Sequence, residues 1–509
     1  MAKLYWRLTL ARMRMLWGLV RLLWFATRLA VRVLVFILVL LYRAVRLLRR
    51  WGGLNPGGAL GSARFANCWE MFWSGVRRGQ GPIVGRIGRS FLRFNRDGMI
   101  TVFAPMGAGK GVGVVIPNLL DYRGSVVCTD IKGENSAITR RRRLSFGAVR
   151  ILNTSDPYAS DHFNPLDMIR VGGFDEKDDA EALARLMVIP DGKESHWDSK
   201  AEGLLACLIM YVVRLEPELR TMAQLRTLST LQPESLKALL HTIAVEGTSA
   251  ACELAGSFLA MEGSEEYRSV LSNVEKATRV WSAASPAGEI SRTSTFQLSE
   301  LITQVTTLYL VVDEEKLSVY ASFLRVMVGC VINALTRAKN LPRPKRKVLL
   351  LLDEAAALGS LEPLERGVGY LRAYCTPLLV FQDMSQLREL YRRWGSFLAN
   401  ATCKVFFNVA DLEAARFVSE LIGQATLFAR NQGTSRSSTD PQERYSMGMS
   451  ETSRWLLDPA EVLRLPGRCS LVIFRSDILR FPVLACKVNY RAWRHVRWWN
   501  AYDTWPAMA

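Results

Sequence analysis

Residues Ala104 to Gly113 read Ala-Pro-Met-Gly-Ala-Gly-Lys-Gly-Val-Gly, directly after the strand-like run Ile100, Thr101, Val102 and Phe103. Strand, glycine-rich turn, lysine and a helix starting near Gly111 make up the order that builds a phosphate cradle. Glycines let successive backbone N–H groups converge on an anion, a helix N-terminus adds its dipole, and Lys110 adds a point charge. The predicted nucleotide contacts are Pro105, Gly107, Ala108, Gly109, Lys110, Gly111 and Val112. The strict P-loop pattern fails at both ends, with Ala104 in place of the first Gly and Gly111 in place of the final Ser or Thr. A glycine-rich turn with a surface lysine is therefore the competing reading of this stretch alone.

A second run supplies acids. Lys347 to Glu354 reads Lys-Val-Leu-Leu-Leu-Leu-Asp-Glu, a buried strand ending in two carboxylates. In a nucleotide site Asp353 would hold Mg²⁺ through its water shell, and Glu354 would orient or activate the attacking water. An apolar strand with acids at its solvent end is the bland alternative, but with the 104–113 loop ahead of it the run favours an ATPase. Gly111 offers no hydroxyl to the metal, which leaves more of that shell to Asp353 and water. The chain has no Leu-Ser-Gly-Gly-Gln run, which argues against an ABC-type ATPase. The four histidines lack metal-ligand spacing, and the nine cysteines contain no Cys-x-x-Cys, so reduced thiols are expected.

The elements that must position these groups alternate. Strand-like runs at 100–103, 125–128, 307–312, 348–352, 377–381 and 402–408 are separated by helical stretches such as 319–338. Continuous apolar runs alternating with helices indicate an α/β domain with a parallel, doubly covered sheet. Residues 172 to 300 offer helical periods (178–189, 200–215) and few strand-like runs, so they read as an all-α insertion, with Trp197 and Trp281 as core residues rather than base-stacking platforms. Residues 431–453 are polar and turn-rich and read as a surface loop or a disordered excursion.

At 509 residues the chain holds two or three folded units. Lys3 and ten arginines, with no acid, give residues 1–52 a charge of +11, which leaves about +8 of the total +19 to the rest. Lys3, Arg7, Arg14, Arg21, Arg28, Arg32, Arg43, Arg46 and Arg50 share one narrow face of a helix otherwise rich in Leu, Val, Trp, Phe and Ile. That pattern predicts an interfacial or single-pass membrane anchor, with a soluble helix packing on a partner as the alternative. A signal peptide fits this pattern badly, because arginine recurs through the apolar region and no small-residue cleavage site follows. Gly52 to Gly58 breaks the helix as a linker.

Several blocks, taken together, resemble the TraG/TraD coupling ATPases of type IV secretion and conjugation, from about Gly61 to Tyr490. These are Gly61-Ser62-Ala63-Arg64-Phe65-Ala66, Pro105 with Gly109-Lys110-Gly111-Val112-Gly113 and Ile116-Pro117-Asn118, Asp130-Ile131-Lys132-Gly133-Glu134, and Phe163-Asn164-Pro165-Leu166. Downstream come Asp353-Glu354-Ala355 and Gln382-Asp383-Met384-Ser385-Gln386-Leu387. In this family Gly after the P-loop Lys is usual. The family commonly carries Thr-Arg-Ser where this chain has Met106-Gly107-Ala108, and two transmembrane helices where this chain has one Arg-striped helix.

The resemblance implies a RecA-like P-loop NTPase domain interrupted by an all-α domain. The expected divisions are an anchor helix at 1–52, nucleotide-domain parts at 53–171 and 301–495, the all-α domain at 172–300, and a tail at 496–509. It implies ATP and Mg²⁺ as cofactors and a homo-hexameric ring at the bacterial inner membrane, with the main body on the cytoplasmic side. Such a ring brings DNA, held without base readout, a relaxase–DNA complex or an effector protein to inner-membrane components of the secretion channel. A substrate receptor or scaffold whose ATPase only gates assembly is the alternative. Arg372, by resemblance, is the expected charge-stabilising finger of a neighbouring subunit, and Gln382 the expected γ-phosphate sensor. The runs Arg140–Arg143 and 343–347 are candidate DNA or anionic-lipid contacts, with solvated faces as the alternative.

Overall fold

The computed structural model describes residues 60–189, 196–342, 344–365, 367–437, 440–492, 498 and 501–504. Within 1–59 it describes only residues 24, 27, 31, 34–40 and 42, all helical and nearly all exposed. The expected anchor helix, the tail and Arg343 therefore lie wholly or mostly outside the described residues. The chain divides into two compact units, Met1–Ala63 with Gly423–Leu456, and Arg64–Ile422 with Leu457–Ala509.

The second unit is built on an 11-stranded sheet. Its strands are β1 (Ile83–Ile87), β2 (Ser90–Arg93), β3 (Met99–Phe103), β4 (Val126–Asp130), β5 (Ala148–Asn153) and β6 (Thr306–Val311). They continue as β7 (Val348–Leu352), β8 (Cys375–Phe381), β9 (Ala401–Phe407), β12 (Cys469–Phe474) and β13 (Val483–Cys486). The spatial order is β2-β1-β13-β12-β9-β3-β8-β7-β4-β6-β5. From β9 to β5 all neighbours are parallel. The remaining four strands extend the sheet antiparallel from β9.

The central parallel strands are buried on both faces because helices cover both. Every residue of β7 is at 0% exposure, and β3, β4, β6 and β8 are likewise buried along their lengths. Such runs carry no period-2 alternation, which is the signature of a sheet shielded on two sides. The one helix long and apolar enough to cross a membrane among the described residues, Glu314–Asn340, is 67% buried inside the fold. Phe323 on it packs on Trp281, which is at 0% exposure, with ring centroids 5.8 Å apart. It is therefore a core helix.

Between β5 and β6 the chain is helical, including Asp175–Met187, His196–Val212, Pro233–Glu246, Ser249–Leu259 and Glu265–Thr278. Side-chain oxygens of Thr248 and Ser264 cap the N-termini of two of these helices. Trp197, expected in the core, is instead 39% exposed. It begins a helix whose apolar face comes later, from Leu204 to Val212.

The first unit carries a difference from expectation. The polar stretch read as a surface loop forms β10 (Gln424–Ser437) and β11 (Asp440–Trp455), an antiparallel ribbon in register from Gln424 opposite Trp455 to Ser437 opposite Asp440. Its sequence is polar at successive positions and so shows none of the apolar–polar alternation by which a strand is read. The Gly61-Ser62-Ala63 block docks on it through a Ser62–Ala425 bridge and an Ala63 N–H to Gln424 carbonyl bond of 2.9 Å. A Cβ on residue 61 would stand 2.3 Å from the Gln424 carbonyl oxygen, so only glycine fits there.

Candidate nucleotide site at the strand ends

The sheet order explains why residues far apart in sequence meet. β8 lies between β3 and β7, so the loop after β3, Gln382 after β8 and the acids after β7 emerge on adjacent strand ends, about 4.8 Å apart per strand. Ligands in open α/β sheets bind outside these carboxyl ends.

The loop after β3 turns twice through left-handed backbone, at Gly107 (φ 72°) and Gly109 (φ 83°). Residues with a Cβ resist that region, which is why glycine recurs here. Ala108 N–H bonds to the Pro105 carbonyl at 3.0 Å and closes the turn. Gly111–Val115 follows as a π-helical turn leading into the helix Ile116–Asp121. At Gly113 an added Cβ would come within 3.2 Å of the Phe407 ring, whereas at Gly111 it would meet nothing within 4 Å. Close packing therefore favours glycine at 113. Space does not require it at 111.

Lys110 reaches across to the acids. Its ammonium bonds to Glu354 Oε1 and lies 3.5 Å from Asp353 Oδ1. Glu354 Oε2 accepts from Gln382 Nε2 at 3.0 Å, so the lysine, the glutamate and the glutamine form one chain of contacts. Glu354 itself sits in the left-handed region at φ 54°, ψ 55°. For a side chain with a Cβ this conformation costs about 1–2 kcal/mol, and such strain concentrates at functional positions.

Asp353 is half-buried, and its backbone carbonyl is held by Thr129 Oγ1 at 2.7 Å. Burial raises its carboxyl above the usual range, and the Lys110 charge opposes the rise. Its Oδ1 is buried without a hydrogen bond among the described residues. Asp130, at the end of the neighbouring β4, accepts from the backbone N–H groups of Asn135 (3.2 Å) and Ser136 (2.7 Å) at the start of the helix Glu134–Leu144. Burial pushes the Asp130 carboxyl up to about 6 even so.

Four of the expected site residues thus converge: Lys110, Asp353, Glu354 and Gln382. Pro105, Gly107, Ala108, Gly109, Gly111 and Val112 lie on the loop and the turn that follows it. Arg372 does not join them. It is exposed just ahead of β8, at the opposite end of that strand, roughly 20 Å of extended chain from Gln382. Its carbonyl accepts from Lys347, whose ammonium also pairs with Asp97 at 2.5 Å. The Arg140–Arg143 run is not a free cationic face. Arg143 is fully buried and donates to carbonyls of Tyr122 and Gly124, while Arg141 pairs with Asp503 at 2.8 Å.

Asp130 was visible in the sequence only as part of a motif without a role. Asn408 and Lys487, at the ends of β9 and β13, carried no motif at all.

The fold, a mostly parallel sheet covered by helices, is that of the RecA-like α/β NTPase class. The family described as Type IV secretory system Conjugative DNA transfer matches residues 74–490, and the chain belongs to it. Among its relatives, the protein VirD4 of Agrobacterium fabrum is 30% identical over 459 residues, covering 86% of this chain and 66% of the relative. The conjugal transfer protein TraG of Escherichia coli is 29% identical over 402 residues, covering 74% of this chain and 63% of the relative. The chain thus spans about two thirds of the length of these proteins. In three dimensions it resembles the bacterial conjugative coupling protein TrwBdeltaN70 in complex with sulphate, with TM-score 0.63 at 17% identity, covering 86% of this chain and 96% of that one. The plasmid coupling protein TrwB in complex with ADP and Mg²⁺ gives TM-score 0.62 at 17% identity, covering 85% and 97%.

Proposed function

We propose that this chain is a membrane-tethered ATPase that assembles as a hexameric ring. In this reading it couples a relaxase–DNA complex or a protein effector to a type IV secretion channel of the bacterial inner membrane, its main body in the cytoplasm. The observation that carries the reading is the Lys110–Glu354–Gln382 chain of contacts beside Asp353 at three adjacent strand ends.

The residues fit ATP and Mg²⁺. Lys110 is neutralised by two acids that a polyphosphate would displace, and the buried Oδ1 of Asp353, left without its Lys110 ion pair, would suit a metal-bound water. The N–H groups of the 105–112 loop and Lys110 would hold the phosphates. Mg²⁺, as in the ADP complex of TrwB, would neutralise charge on the phosphate oxygens. Glu354, freed from Lys110, would accept a proton from the attacking water, and Gln382 would orient that water or the γ-phosphate. Arg372 lies too far away to serve its own site, which fits a finger offered to a neighbouring subunit.

ATP hydrolysis by the full chain, measured with and without DNA, tests the reading. DNA-stimulated turnover supports a motor on nucleic acid. Turnover unchanged by single- or double-stranded DNA, with effector-protein binding retained, would favour a receptor whose ATPase only gates assembly.

A further inference from the structure

Lys487 stands one residue past β13. β13 runs antiparallel to β12, and β12 antiparallel to β9, so the end of β13 faces the same edge as the phosphate loop. The Lys487 ammonium donates to the Ala108 carbonyl at 2.8 Å and to Asn408 Oδ1 at 2.9 Å, and lies 4.7 Å from the centroid of the Phe407 ring. These partners are neutral: a carbonyl, an amide oxygen and a ring face. Among the described residues no carboxylate pairs with Lys487, in contrast to Lys110. Burial lowers its pKa to about 8, so it stays mostly charged at neutral pH.

The geometry has a consequence for the loop. A trans peptide is planar, with its C=O and N–H pointing in opposite directions. The peptide joining Ala108 to Gly109 is followed directly by left-handed Gly109 and lies one residue beyond left-handed Gly107, both of the residue type with the weakest conformational preference. With the Ala108 carbonyl fixed against Lys487, the Gly109 N–H must point away from Lys487.

We infer that Lys487 is a positioning residue of the phosphate loop, holding the Ala108–Gly109 peptide so that the Gly109 N–H faces the bound anion. Asn408, in left-handed backbone at φ 41°, holds the ammonium from its other side. Phe407 links the same brace to the helix start, since its ring also lies against Gly113. The antiparallel extension of the sheet thus supports the loop from behind. The Lys487 charge adds a background attraction for polyphosphate without contacting it. This inference rests on the nucleotide-site reading of the loop.

The test is MgADP affinity of the full chain, with steady-state kcat and KM for ATP beside it. Lys487→Met is expected to weaken MgADP binding and raise KM about 10-fold, the scale of one charged hydrogen bond. Its kcat should change less than about 3-fold, because the hydrolytic residues are untouched. Lys487→Arg should recover most of the affinity, which loss of packing alone would not predict. If Lys487→Met fails to fold, Asn408→Ala removes one anchor and should weaken binding in the same direction. Wild-type affinity in Lys487→Met, or in Asn408→Ala where that variant decides, overturns the brace while leaving the site reading intact, provided Lys110→Ala loses affinity. If wild type does not bind MgADP, or Lys110→Ala binds it normally, the site reading fails and the brace with it.

Discussion

The two ends of the parallel sheet hold their cations in different ways. At the amino end Arg143, on the last turn of the helix Glu134–Leu144, is at 0% exposure. It donates to Thr307 Oγ1 (2.7 Å), to Gly124 O (2.7 Å) and to the Tyr122 carbonyl. Each of those acceptors is fixed by the fold. At the carboxyl end Lys110 is partly exposed and engages only side chains, the carboxylates of Glu354 and Asp353. A guanidinium satisfied by backbone has nothing to exchange, whereas an ammonium held by acids can be handed to a competing anion. Backbone strain follows the same division. Both left-handed non-glycine residues among those described, Glu354 and Asn408, lie at the carboxyl end. On the proposed function, the difference separates a structural edge from the edge that works on nucleotide.

Variants should break that contrast in a graded way. Glu354→Gln should keep nucleotide binding and slow hydrolysis by at least about 100-fold, the lower range for removing a general base. A normal rate would mean that another residue positions the water. At the other end, Arg143→Met should destabilise the fold by about 3–5 kcal/mol in denaturant unfolding, because it strands buried carbonyls. Its ATP turnover per folded molecule should remain near wild type. A large loss of turnover with unchanged stability would erase the distinction between the two ends.

Protonation sharpens the contrast further. The Asp130 carboxyl sits at about 6 in the folded chain against 3.8 for an unperturbed aspartate. Between these values the folded state binds more protons than the unfolded one, so burial of this group subtracts stability above about pH 6. The subtraction disappears as pH falls below about 4. Its upper size is roughly 3 kcal/mol, at about 1.4 kcal/mol per unit. With metal chelated and no nucleotide, wild type should therefore gain on Asp130→Asn by about 1–3 kcal/mol between pH 7 and pH 4. A pH-independent difference would contradict the buried-carboxylate account. The smallest effect belongs to Gly111→Ala. With open space around it, this change should stabilise the apo chain by about 0.4–1 kcal/mol in thermal unfolding. Destabilisation there would show that the turn needs glycine after all.

The parts of this arrangement that sequence revealed are those with a local physical signature. The strands at 348–352 and 377–381 are legible because burial on both faces demands unbroken apolar runs. The 104–113 loop is legible because left-handed turns demand glycine at 107 and 109. The β1–β2 hairpin, β12 and β13 left weak traces, since short antiparallel strands at a sheet margin need neither long apolar runs nor fixed turn residues. Lys487 was hidden for the same reason: its role depends on β13 folding back beside β9, a long-range pairing that no local pattern encodes. Arg143 stood in a visible basic run, but charge alone does not show that one of four arginines turns inward to meet backbone carbonyls.

The central claim is that the carboxyl end is an ATP-hydrolysing site in which Lys110 exchanges its acids for phosphate. Steady-state ATP hydrolysis by the full chain, wild type against Lys110→Ala at matched folded concentration, tests it most directly. The account predicts turnover in wild type and its loss in Lys110→Ala, with the thermal midpoint without nucleotide nearly unchanged. Equal turnover in the two proteins would contradict it.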